Sequence, residues 1–260
     1  MPAANYTIEE NIEILKRTKI KTIVAEGVDD LEILRTIEAK IKSATGEINF
    51  IIAGSKDAVL QIWGKRDLFK TAPIGFLADS DMWLFDSKTQ NYPGIIFTEG
   101  YSVENISIQN DCFLQLIEHS NALKISWNNA LLSLAKWFAA EVAFYLKDSP
   151  PILDLDVSKI LNEAENYILS EEATARIQNC PKEQWDYLLQ KIEVEPLKFI
   201  RGKQLFRALH LIINRNESVN FQLKVLKAMG VRLENPHVIN LIDALIEATR
   251  ASSEKYPISN

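Results

Sequence analysis

Four short runs rich in β-branched residues, each followed by a glycine or an acid, constrain this chain more than anything else in it. Lys21–Glu26 ends at Gly27, Ile48–Ala53 ends at Gly54, Pro73–Ala78 runs into Asp79-Ser80-Asp81, and Gly94–Thr98 leads into Glu99. Each is too short for a helix and has the composition of a buried strand. Helical periods lie between them. Thr7-Ile8-Glu9-Glu10 reads as a capping box, with Ile8, Ile12 and Leu15 on one face of the helix it opens. Asp29 or Asp30 can cap a second helix with the face Leu31, Leu34, Ile37 and Ile41, and Val59, Ile62 and Trp63 mark a third. Strands alternating with helices of ten or more residues predict right-handed βαβ units and a mostly parallel sheet flanked by helices. In such a sheet the carboxyl ends of the strands line the ligand crevice. Glu26 and Asp79, distant in sequence, are therefore expected to converge.

After about Asn110 the strand-like runs stop. Helical periods cover 111–119, 128–147, 157–177, 181–191, 203–214, 219–229 and 237–252, punctuated by Gly230 and by prolines at 150, 151, 181, 196 and 236. The expected fold is thus α/β over residues 1–110, followed by an all-α half over 111–260. The helix at 128–147 is apolar nearly all round, so Trp137, Phe138, Phe144 and Tyr145 read as core. Its longest apolar stretch, Leu131–Leu146, is broken by Lys136 and Glu141 and is too short to cross a bilayer. Met1–Glu10 is polar, with no apolar leader, and the two cysteines make neither a metal spacing nor a disulfide framework. A cytoplasmic protein with no membrane partner is the expectation.

The net charge of −6 hides an asymmetry. Between Arg201 and Arg232 seven cations face a single acid, Glu217, a local +6 that leaves −12 for the rest. Lys16, Arg17, Lys19 and Lys21 form a second basic cluster just before the first strand. Each reads equally well as a phosphate-binding surface or a solvated helix face.

Carboxylates gathered at strand ends repel one another strongly unless a cation, a proton or water offsets them. Glu26, Asp79 and Asp81 are such a set. An Asp-X-Asp at the end of a strand points both carboxylates to one side, and hard oxygen ligands suit Mg²⁺ or Mn²⁺. The alternative for Asp79-Ser80-Asp81 is a capped turn. Other chemistries find no support. There is no GxxxxGK[ST] loop and no GxSxG elbow, and His119, His210 and His237 lack ligand spacing. A nucleotide-sugar transferase would need more sheet after the Asp-X-Asp. A phospho-receiver domain would need a lysine near Phe97–Glu99.

Ala25-Glu26-Gly27-Val28-Asp29-Asp30, then Gly54-Ser55-Lys56, then Leu77-Ala78-Asp79-Ser80-Asp81 resembles a TOPRIM domain, the metal-binding fold of topoisomerases, primases and OLD-family nucleases. Thr98-Glu99-Gly100-Tyr101-Ser102-Val103-Glu104-Asn105 and Arg201-Gly202-Lys203-Gln204-Leu205-Phe206 are similar to a TOPRIM-related family of unknown-function domains that includes AriB, the effector of the PARIS anti-phage system. The resemblance spans roughly residues 20–209. It implies a Mg²⁺- or Mn²⁺-dependent nuclease cleaving phosphodiester bonds in RNA, such as tRNA, or in DNA. Glu26 would be the general base or a bridging carboxylate, and Asp79 and Asp81 metal ligands. Asp30, Lys56 and Glu104 would be accessory, with Lys56 a phosphate contact and Glu104 an acid. Arg201, Lys203 and Arg207 would guide the nucleic acid. A partner ATPase sensor (AriA-like) would restrain the nuclease, and a homodimer is compatible with it. Val28 stands where many relatives have a basic or polar residue and Ser80 where an Arg is common between the aspartates, a loss of basic groups expected to weaken phosphate binding. A non-catalytic interaction module with a degenerate site is the alternative.

Overall fold

The computed structural model describes residues 6–27, 31–216 and 221–254. Asp29 and Asp30, with the cap expected from one of them, lie outside the described residues, as do Val28 and the start of the helix expected from Val219. The chain divides into two compact units, neither contiguous in sequence. Residues 1–80, 89–98 and 236–260 form the first, and residues 81–88 and 99–235 the second. The boundary read near residue 110 does not coincide with this division.

The first unit is built on a four-stranded parallel sheet in the order β2-β1-β3-β4, with β1 Lys21–Ala25, β2 Ile48–Ile52, β3 Ile74–Ala78 and β4 Ile95–Phe97. Helix α1 (Ile8–Arg17) opens on the expected capping box: the Glu10 amide donates to Thr7 Oγ1 at 3.2 Å, and the Thr7 amide donates to Glu10 Oε2 at 2.7 Å. Helix α2 (Leu31–Thr45) carries the chain from β1 to β2, and α3 (Lys56–Gly64) from β2 back across β1 to β3. The β3–β4 connection, for which the sequence names no helix, holds none of the regular α-helices of the other crossovers. It makes only the short 3-10 turns Asp81–Leu84 and Lys88–Asn91.

A parallel sheet must be covered on both faces, because each face is apolar. Val24, Ile74 and Phe76 share one core with Leu15 of α1 and Val59 and Ile62 of α3. On the other face α2 and the C-terminal helix α13 (Pro236–Glu254) pack together against β1, β2 and β3. Helix α13 lies so close to β3 that a Cβ at Gly75 would stand 3.3 Å from Ala248 Cβ, and 2.9 Å from Ile23 Cδ1 of the neighbouring β1. Although it falls within residues 111–260, expected to be all-α, this helix closes the sheet.

The second unit is helical around α6 (Asn121–Leu146), which starts a full two turns earlier than the expected Asn128. Around it pack α5 (Asp111–Glu118), α8 (Glu171–Gln178), α9 (Trp185–Val194) and α11 (Gly202–Asn216). Trp137 and Phe138 are fully buried, as expected, while Phe144 and Tyr145 are only partly so. Helix α4 (Val103–Ile108) is buried at every residue, and α10 (Pro196–Phe199) and α12 (Leu223–Arg232) complete the unit. The single helix expected over 157–177 is not formed. Instead α7 (Val157–Ile160) leads into a two-stranded antiparallel hairpin, β5 (Leu161–Asn162) with β6 (Ile168–Leu169), before α8 begins. Asn162 accepts the Ala164 amide, Asn166 and Tyr167 take φ of 56° and 63°, and Ser170 caps α8. Two consecutive left-handed residues end any helix. Among the described residues no helix is long and apolar enough to cross a membrane.

Candidate metal centre

The order β2-β1-β3-β4 places its topological switch between β1 and β3, since the chain steps outward from β1 to β2 through α2 and then returns past β1 to β3 through α3. The crevice of such a sheet opens at that point, beyond the carboxyl ends of the strands. Glu26 is the residue after β1 and Asp79 the residue after β3. The two are brought together: the Asp79 amide donates to Glu26 Oε2 at 3.2 Å. The Glu26 backbone is held as well, because its carbonyl accepts the amide of Gly54 at 3.0 Å. Gly54 takes φ 94°, a left-handed conformation that glycine adopts without strain. It is followed by Ser55, which caps α3 by accepting the Ala58 amide at 3.2 Å. Lys56, the first residue of α3, donates from Nζ to the Ser80 carbonyl at 3.3 Å. Glu26, Lys56 and Asp79 therefore share one edge of the sheet, each half-buried. One ammonium and two carboxylates at a partly desolvated edge leave an excess of negative charge.

Asp81 begins the second unit. Its φ of 48° and the 2.7 Å bond from its amide to the Tyr101 carbonyl turn the chain into a 3-10 helix. Strand β3 ends at Ala78, so Asp79 and Asp81 both lie beyond its last residue. Among the described residues no group of three or more His, Cys, Asp or Glu side chains is arranged to hold a metal ion. Two carboxylates with hard oxygens still suit Mg²⁺ or Mn²⁺, which commonly binds through one or two carboxylates and completes its shell with water and phosphate.

In the second unit the two motifs after the Asp-X-Asp meet. Gly202 abuts helix α4 so tightly that a Cβ there would fall 2.6 Å from Glu104 Cβ and 2.8 Å from Asn105 Oδ1. The buried Asn105 amide donates to the carbonyls of Leu197 at 2.7 Å and Ile200 at 2.6 Å, and its oxygen accepts the Ser102 amide at 3.0 Å. Glu104 is buried too. Its Oε1 accepts from Lys227 Nζ at 2.8 Å and its Oε2 from the Ser102 hydroxyl at 2.7 Å. A carboxylate bonded in this way holds α12 to α4.

The basic run is largely spent inside its own unit. Arg201 pairs with Asp154 at 2.7 Å and also donates to the Leu153 carbonyl. Arg207 lies 3.9 Å from Asp156, and Arg215 lies 3.6 Å from Glu163. Hydrogen bonding to Arg201, with the charge of that guanidinium second, holds the Asp154 carboxyl below its ordinary range; Lys203 and Arg207 add to the field. Of the other basic cluster, Lys16 and Arg17 both face Glu13, at 2.5 Å and 3.9 Å. Asn105 and Thr98 stand in the sequence motif Thr98–Asn105 with no role implied for either by the resemblance. Glu141, fully buried in α6, is gripped by Arg176 through two bonds of 2.8 Å and 3.0 Å. The only sequence signal for that pair was a charge inside an apolar helix. No protein-family model matches this chain, and no curated protein gives a significant match to it.

Proposed function

We propose that this chain is a metal-dependent phosphodiesterase of TOPRIM type, acting on RNA or DNA as an anti-phage effector restrained by a partner ATPase. The observation that carries the reading is the meeting of Glu26 and Asp79 at the switch point of a parallel sheet. Glu26 and Asp79 would hold Mg²⁺ or Mn²⁺, and Asp81, two residues further along the chain, enters through the resemblance alone. Such an ion lowers the pKa of a bound water and steadies charge on a phosphate. Lys56, on the same edge, would contact the phosphate. Glu26, with one oxygen already accepting the Asp79 amide, would orient a water or take its proton.

A second reading, a binding module of the same fold without catalysis, draws on two observations. Glu104 is committed to Lys227, and Arg201 and Arg207 are committed to Asp154 and Asp156.

Thermal stabilisation by Mn²⁺ separates the two. For the wild type, Mn²⁺ at a hundred times its dissociation constant should add about 2.7 kcal/mol. Glu26→Gln, which keeps an acceptor for the Asp79 amide, should lose that gain while its metal-free stability changes by less than about 1 kcal/mol. Asp79→Ala combined with Asp81→Ala should lose it too. Nucleic-acid cleavage, or toxicity in the presence of the partner, should disappear in the same variants. A wild type that gains nothing from Mn²⁺, with Glu26→Gln as toxic as wild type, leaves the binding module standing.

A further inference from the structure

The geometry points to Ser80 and Thr98 as positioning residues for the Glu26–Asp79 carboxylates, an inference that rests on the cation-site reading above. Both are 2% exposed and carry no ionisable group. They are joined twice: the Ser80 amide donates to Thr98 Oγ1 at 3.0 Å, and Ser80 Oγ donates to the Thr98 carbonyl at 2.6 Å. The Thr98 amide closes the set on the Ala78 carbonyl at 3.1 Å. These three bonds extend the β3–β4 pairing past the last strand residues, Ala78 and Phe97, and in two of them a side chain replaces a backbone partner.

The consequence falls on Asp79, which lies between Ala78 and Ser80. Its own amide is bound to Glu26, the residue before it is tied through its carbonyl to Thr98, and the residue after it is tied to Thr98 twice and to Lys56 once. The peptide that carries the Asp79 carboxylate is thus fixed on both sides and cannot rotate without breaking buried hydrogen bonds. Two carboxylates that repel one another in the absence of a cation would otherwise swing apart. The Ser80–Thr98 pair resists that motion, so the cation meets ligands already in place. The uncharged Ser80, a departure from the family pattern, thereby gains a reason: a long basic side chain at this buried position would displace the bond to the Thr98 carbonyl. Both partners also sit where the chain leaves the first unit, since Asp81 and Glu99 belong to the second.

The experiment uses the full chain and Mn²⁺ as the probe, with free Mn²⁺ counted by its electron paramagnetic resonance signal. Thr98→Ser keeps Oγ and should bind Mn²⁺ as wild type does. Thr98→Val removes the acceptor of the Ser80 amide, and Ser80→Ala removes the donor to the Thr98 carbonyl. Each should weaken Mn²⁺ binding about 10- to 100-fold, as losses of outer-shell partners do. Metal-free melting is recorded alongside, at temperatures well above that of the titration. Should Thr98→Val not fold, Ser80→Ala carries the test alone, since it leaves the amide bond to Thr98 intact. Unchanged Mn²⁺ affinity in folded Ser80→Ala, with wild type binding, overturns the positioning role and leaves the cation site standing. No Mn²⁺ binding by wild type overturns the cation site and the positioning role with it.

Discussion

Glu104 and Lys227 are 123 residues apart in sequence and meet at 2.8 Å with almost no solvent between them. Desolvating both charges is costly, and the pair offsets that cost only while both members are present. Glu104→Ala should therefore destabilise the protein by about 3–5 kcal/mol in urea denaturation, because it strands a buried ammonium. Glu104→Met together with Lys227→Met should recover most of the loss. The outcome also bears on role: a Glu104 needed only for packing would leave Mn²⁺ affinity untouched in that double variant. Asp154 is the opposite case, with its side chain 87% exposed despite its bond to Arg201. Its folded pKa is depressed by that hydrogen bond and charge. Its contribution to stability is therefore present above the unfolded pKa and is lost as pH falls through the lower folded value. Exposure keeps the stability effect small, so the measurable quantity is the titration itself. By carboxyl NMR, Asp154 should titrate below a normal aspartate, and Arg201→Gln should return it towards the ordinary value.

At the scale of elements, close approach is set by glycines. Helix α12 lies against α4 so tightly that a Cβ at Gly230 would stand 2.1 Å from the Ser107 carbonyl oxygen and 2.5 Å from its hydroxyl. Both contacts involve α4, whose residues are all buried and which cannot retreat into solvent. Gly230→Ala should destabilise by about 1–3 kcal/mol, towards the upper end because the obstacle is backbone. Differential scanning calorimetry of the intact chain would show it. A melting temperature equal to wild type would mean the two helices do not pack at that distance. The capping box of α1 was legible in the sequence because its partners are three residues apart and its chemistry is local. The β5–β6 hairpin was not. Its signal is a pair of left-handed residues, Asn166 and Tyr167, and Tyr167 is a residue type that a sequence gives no reason to place at positive φ.

At the scale of the whole molecule, α13 is the element whose removal tests the architecture. It covers the sheet face carrying Gly75 and Ile23. A chain ending at Asn235 should lose cooperative unfolding of the first unit and expose apolar sheet, because a parallel sheet uncovered on one face is not stable in water. Binding of a dye specific for exposed apolar surface should rise in that variant. A truncated chain that melts as sharply as the full one would show that the other helices suffice.

The sequence by itself determined the four strands, their parallel order of helix and strand, and the convergence of Glu26 with Asp79. Those follow from hydrophobic period, glycine punctuation and the handedness of βαβ crossovers, all of which act over short stretches of chain. Only the tertiary structure decided the fate of charges whose partners are remote. It committed Glu104 to Lys227, Arg201 to Asp154 and Glu141 to Arg176, and it assigned α13 to the sheet. It also turned the chain at Asp81, whose amide donates to the Tyr101 carbonyl. A charge run or an apolar helix face fixes that something must be neutralised or covered. Which distant segment does so depends on where the whole chain comes to rest, and no local period encodes it.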